Sequence, residues 1–126
     1  MKHPFAELLG IRVQEQEPGT SRSSVAITES LLNPHNVAHG GVLYSLADTC
    51  MGSALYPMLS EGELCATIEI KMNYFAPVRS GEVTCLTKVV NKGKTVANLA
   101  SELFVGDRLV ANANGNYAIF RPNNRI

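Results

Sequence analysis

The chain carries no surplus of charge: 11 Lys and Arg balance 11 Asp and Glu in 126 residues. The basic residues are scattered, so no global field favours nucleic acid or an anionic membrane surface. There is no cysteine framework. Cys50, Cys65 and Cys85 are odd in number, far apart and set in apolar segments, which excludes a CxxC metal spacing and a disulfide scaffold. They read as reduced thiols of a cytoplasmic protein. No apolar h-region follows residues 1–5, so a secretory signal is not expected. Repeats, linkers and low-complexity segments are missing as well. What is left is one domain over residues 1–126, large enough for a single core.

The informative stretch runs over residues 33–56. Its first nine residues hold two histidines, two asparagines, a proline and a Gly-Gly pair, the composition of a tightly turned polar loop. A helix is expected from Gly40 or Gly41 to about Tyr56. Val42, Leu43, Leu46, Ala47, Cys50, Met51, Ala54 and Leu55 cover most of its circumference, which predicts a buried helix. It is too short for a membrane span, and Ser45, Asp48 and Thr49 interrupt it.

Asp48 breaks this apolar pattern. It is the only Asp, Glu, Lys or Arg between Ser30 and Glu61, and a buried carboxylate is costly unless paired. It is either a satisfied structural acid or a catalytic one in a desolvated site. Upstream, Gly40 and Gly41 are expected to present free N–H groups at the positive end of the helix, a setting suited to an oxyanion. Asp48 lies eight residues beyond Gly40, about 12 Å along a helix. The two cannot act on one carbonyl carbon within one chain. If both are catalytic, two antiparallel helices must meet across a two-fold axis.

Around this stretch the chain alternates. A short helix is expected over residues 4–9, then a hairpin with strands over 11–16 and 23–28 turning at 17–20. Thr67, Glu69, Lys71 and Asn73 alternate with Ile68, Ile70, Met72 and Tyr74, which predicts an uninterrupted strand. A break over 75–81, a strand over 82–90, a turn at 91–94, strands over 95–105 and 108–120, and a frayed tail over 121–126 complete the reading. Six antiparallel strands and one buried helix predict an α+β hotdog arrangement, the sheet wrapped around the helix.

Asn33, then His39-Gly40-Gly41, then Asp48 resembles the hotdog-fold acyl-CoA thioesterases of the phenylacetic-acid-degradation (PaaI-like) type, at the same spacings. Residues 67–81 resemble that family's third strand and following bend, and Lys92-Gly93-Lys94 its next hairpin. The resemblance implies an acyl-CoA substrate, no cofactor and no metal, and a homodimer with shared sites, paired again into a tetramer. It implies that Gly40 donates its N–H to the thioester oxygen and that Asn33 orients the thioester or the water. Asp48 of the neighbouring subunit would be general base or, alternatively, nucleophile. Thr67 would position the water or the carboxylate, and His39 would shape the loop and touch the carbonyl. Residues 74–79 and 91–96 would cover CoA, with Tyr74, Phe75, Pro77 and Gly93 as walls and Arg79, Lys92 and Lys94 facing its phosphates. The acyl pocket is expected among Leu43, Met51, Leu55 and Tyr74, for an aromatic or a medium-chain acyl group.

Each assignment has an ordinary competitor. Asn33 before Pro34 is also a turn residue, His39 a structural one, and Lys92 and Lys94 solvated charges. His35 and His39 have no third ligand of metal spacing. Ser45 and Ser53 lack a nucleophile setting. Two rival activities remain: a hotdog hydratase or dehydratase, which needs a His paired with an acid, and a non-catalytic acyl-CoA sensor, for whose usual DNA-binding appendage 126 residues leave no room.

Overall fold

The computed structural model describes residues 2–122. Helix α1 (Pro4–Leu9) stops at Gly10, whose φ of 82° is the left-handed conformation that glycine adopts without penalty. Strands β1 (Arg12–Glu17) and β2 (Thr20–Ala26) follow, then helix α2 (Gly40–Leu55). Strands β3 (Leu64–Tyr74), β4 (Glu82–Lys92), β5 (Val96–Val105) and β6 (Arg108–Phe120) complete the order. The sheet is antiparallel in the order β1-β2-β4-β5-β6-β3, so β3 leaves its sequence neighbour β4 and pairs with β6 at the far edge. The sheet wraps α2, as expected for a hotdog fold. Among the described residues no helix is long and apolar enough to cross a membrane.

Leu46, Ala47, Cys50, Met51, Ala54 and Leu55 are fully buried, each large apolar side chain contributing about 1.5–3 kcal/mol. Gly115 on β6 sets how deep α2 can sit: a Cβ there would lie 2.8 Å from Met51 Sδ and 3.1 Å from Ile70 Cγ1. Pro57 ends the helix and, having no N–H, orphans the carbonyl of Ser53. Gln16 Nε2 supplies the missing donor at 3.0 Å. The Gly19 N–H donates to the Ala54 carbonyl at 2.9 Å, so the β1–β2 hairpin anchors this end of α2.

Four strand expectations are corrected. Pro18-Gly19 makes so tight a turn that β1 reaches Glu17 and β2 starts at Thr20. β2 ends at Ala26, two residues before its expected limit. β4 runs through Lys92, leaving only residues 93–95 for the turn. β3 does not alternate cleanly. Thr67 pairs with Tyr117 and Glu69 with Asn116, so Ile68 is an extra residue in a β-bulge. The bulge switches parity: Thr67 turns to the side of Tyr117 and α2, while Ile68 is 56% exposed. Of the expected frayed tail, Arg121 and Pro122 lie outside regular structure, and residues 123–126 fall outside the described residues.

Candidate active site

The loop before α2 is built by Asn33. Its Oδ1 accepts from the N–H of His35 at 2.8 Å and of Val37 at 3.3 Å, while Asn36 takes a left-handed φ of 62°. Its Nδ2 has no partner among the described residues. The turn reading of Asn33 is therefore correct for Oδ1, and the amide donor is left over. The Ala38 N–H donates to the Val78 carbonyl at 2.6 Å, which brings residues 75–78 beside the helix start.

His39 caps α2. Its Nδ1 accepts from the Gly41 N–H at 2.8 Å, so only one of the two expected free donors exists: Gly40 N–H has no partner among the described residues, whereas Gly41 is spent on the cap. A Cβ on Gly41 would lie 2.9 Å from His39 Nδ1, so the cap needs the glycine. Tyr74 O–H donates to the Gly40 carbonyl at 2.6 Å, with its ring against the Gly40 backbone. Burial raises the Tyr74 hydroxyl's pKa above its ordinary value, Tyr44 adding to the shift. Gly40, Tyr74, Phe75 and Pro77 line a cavity of about 520 Å³.

Two turns further along α2, Asp48 is half-buried rather than enclosed. The sheet leaves α2 uncovered between its edge strands β1 and β3, and Asp48 faces a cavity there of about 650 Å³ that α1 flanks. Thr67 O–H donates to Asp48 Oδ1 at 2.7 Å. Tyr117 O–H also donates to Oδ1, and to the Asp48 carbonyl at 2.9 Å. Oδ2 makes no hydrogen bond among the described residues. Burial, reinforced by the Asp48 carboxylate, raises the Tyr117 pKa far above the usual phenol value, so Tyr117 stays a donor. Burial and the Asp48 charge also raise Cys65, which lines the same cavity and stays a thiol.

The expected site residues thus form two groups at different points of one helix. Asn33, His39, Gly40, Tyr74, Phe75 and Pro77 gather at the start of α2; Asp48 and Thr67 gather at its middle. Arg79 is exposed and lines neither cavity. Lys92, Gly93 and Lys94 lie at the opposite end from Tyr74: the Gly93 N–H donates to Val96 and Thr95 accepts from Ile119, and the Lys92 charge reaches Glu63. Met51 and Leu55 are core, not pocket wall. Ser45 and Ser53 hydroxyls donate to the carbonyls of Gly41 and Thr49, which rules them out as free nucleophiles in this arrangement. Among the described residues no three His, Cys, Asp or Glu side chains converge on a metal position.

The thioesterase superfamily pattern matches residues 35–112, which contain His39, Gly40, Asp48 and Thr67. The chain belongs to the thioesterase superfamily. A relative from Archaeoglobus fulgidus is 33% identical over 119 residues, 93% of this chain and 74% of that protein. The acyl-coenzyme A thioesterase PaaI of Escherichia coli K12 is 30% identical over 90 residues, 71% of this chain and 62% of that protein. A solved mutant of the phenylacetic acid degradation protein PaaI from Thermus thermophilus superposes with a TM-score of 0.86 at 28% identity, covering 95% of this chain and all of that one.

This thioesterase is a thioester hydrolase by class. Such an enzyme must polarise a carbonyl and deliver water to it. One of its two groups offers donors at a helix N-terminus, the other a fixed carboxylate. Tyr117 is the residue that sequence reasoning passed over. Its one visible signal is a lone large side chain in the small, amide-rich run of β6, placed where Thr67 must pair.

Proposed function

We propose that this thioesterase hydrolyses acyl-CoA to the free acid and CoA at sites shared between two subunits. The observation that carries the reading is the Asp48 carboxylate, held through Oδ1 by two hydroxyls with Oδ2 left free toward a cavity. In one subunit Gly40 N–H donates to the thioester oxygen as negative charge develops there, and the Asn33 Nδ2 amide steadies the carbonyl or the water. From the other subunit Asp48 Oδ2 takes a proton from water as its oxygen attacks the carbonyl carbon. The tetrahedral intermediate collapses, the C–S bond breaks, and the CoA thiolate leaves to be protonated. The same free Oδ2 could attack directly and form an anhydride that water then cleaves; hydrolysis in ¹⁸O-water under single-turnover conditions separates the two.

Sharing follows from reach. The two groups are about 12 Å apart on one helix, and β3, the long unpaired edge strand beside Asp48, exposes Ile68, Leu64 and Tyr74, a pairing surface in waiting. Antiparallel pairing of two β3 edges sets each helix start beside the other Asp48. It also brings Lys92 and Lys94 of one subunit toward Tyr74 and Arg79 of the other, where CoA phosphates can be met. A further pairing of dimers and a cytoplasmic location belong to the same reading. The names of the two PaaI relatives favour an aromatic acyl group over a medium chain.

The test is release of free CoA thiol from phenylacetyl-, 4-hydroxyphenylacetyl-, benzoyl- and hexanoyl-CoA by the purified protein. Turnover of any of them at an enzymatic rate, abolished in Asp48→Asn, supports the reading. Binding without release across the panel would favour the sensor.

A further inference from the structure

Gly52 lies four residues beyond Asp48 and four before Tyr56, the residue that caps α2 in helical conformation, so the three form one stripe, and all three line the cavity beside Asp48. Glycine inside a helix is less stable than alanine, and nothing in the chain requires it here. A Cβ on Gly52 would meet no heavy atom within 4 Å. Gly40, Gly41 and Gly115 are different: at each, a Cβ would press on a packed side chain. The bare backbone at Gly52 therefore keeps space open for something outside the chain's own packing.

We infer that Gly52 is the floor of the acyl pocket and sets how large an acyl tail the enzyme accepts. This rests on the hydrolase reading above. With the thioester carbon at Asp48, a tail running along the stripe passes over Gly52 after about 6 Å, the reach of a ring one methylene beyond the carbonyl. Thr67 and Cys65 form one wall and Val13 and Gln16 the other. Beneath, the Gln16 bond to the Ser53 carbonyl ties β1 to α2 and fixes the gap. The far end opens past Tyr56, which is 45% exposed. A side chain at position 52 would stand where the tail must lie, and a short acyl group would stop before it.

The experiment compares kcat/KM for phenylacetyl-CoA and butyryl-CoA in wild type, Gly52→Ala and Gly52→Leu, with oligomeric state and Tm recorded for each. The expected result is a fall of about tenfold or more in the phenylacetyl-to-butyryl ratio for Gly52→Leu and a smaller fall for Gly52→Ala. Gly52→Ala is expected to melt no lower than wild type, since it adds helix propensity without a clash. An unchanged ratio overturns the inference. So does an equal loss on both substrates accompanied by dissociation of the subunits, which would assign the glycine to a partner helix. If wild-type enzyme releases CoA from neither of these nor from 4-hydroxyphenylacetyl-, benzoyl- or hexanoyl-CoA, the hydrolase reading falls and this inference with it.

Discussion

The start and the middle of helix α2 solve opposite problems. At its start, Gly40 offers a bare N–H with the helix dipole behind it, and the neighbouring acceptors are tied into the loop: Asn33 Oδ1 to two N–H groups, His39 to Gly41. At its middle, Asp48 offers a bare acceptor oxygen, and its other oxygen is occupied by Thr67 and Tyr117. One pole presents donors and the other an acceptor. Each keeps its reactive atoms free by satisfying the rest. In the proposed reaction neither pole hydrolyses a thioester alone, and their separation along one helix is the reason a functional unit needs two chains.

The largest effect is expected from removing the acceptor. Asp48→Asn retains shape but not basicity, and should lower kcat about 10²- to 10⁴-fold with an unchanged melting temperature. Steady-state kinetics and circular dichroism check both parts; near-wild-type turnover would exclude Asp48 from proton transfer. At the donor pole, Asn33→Asp keeps the Oδ1 acceptor that builds the loop and loses only the amide donor. Its expected cost is about 10²-fold in kcat with the loop intact, whereas an unfolded loop and full activity in refolded material would each contradict the division of labour on that side chain.

Smaller effects sharpen the comparison. Tyr117→Phe frees Asp48 Oδ1 from one donor and should reduce kcat about tenfold, as mis-aimed catalytic groups do. It also carries a pH signature. The folded pKa of Tyr117 is raised, by burial first and by Asp48 second. Its contribution to stability is thus complete below about pH 10, where an unfolded tyrosine ionises, and is lost above it at up to about 1.4 kcal/mol per pH unit. Urea titrations at pH 9 and 11 should show a shallower alkaline loss in Tyr117→Phe than in wild type; equal slopes would mean that the buried phenol is not the group responsible. Gly41→Ala drives a methyl into His39 and should cost about 1 kcal/mol through the lost cap, read as a lowered Tm.

Much of this was legible in the sequence. The apolar circumference of α2, the turn residues of the hairpins and the lone Asp48 predicted the wrapped helix, and the spacing of Gly40 and Asp48 predicted two groups set about two turns apart on it. What escaped was set by pairing between strands distant in sequence. The bulge at Ile68 leaves no mark on a pattern of alternating residues, yet it turns Thr67 from the outer face to Asp48. Thr67 comes beside Tyr117 because β3 crosses to pair with β6, and the two hydroxyls then meet on Asp48. Gly41 seemed a free donor because a histidine side chain reaching forward two residues is not visible in composition. Lys92 and Lys94, expected with Tyr74 to cover CoA, lie at the other end of the sheet from Tyr74 within one chain, a placement that the strand registers set and composition does not reveal.

Subunit complementation tests the shared site most directly. Asn33→Asp and Asp48→Asn proteins, each expected to be about 10²-fold or more slower than wild type alone, are mixed under conditions that allow subunit exchange, and CoA release is measured. Random pairing leaves one intact site in each mixed dimer, so activity should return to about a quarter of the wild-type level. No recovery, with exchange demonstrated by mass-labelled subunits, would place both residues in one chain's site and contradict the shared arrangement.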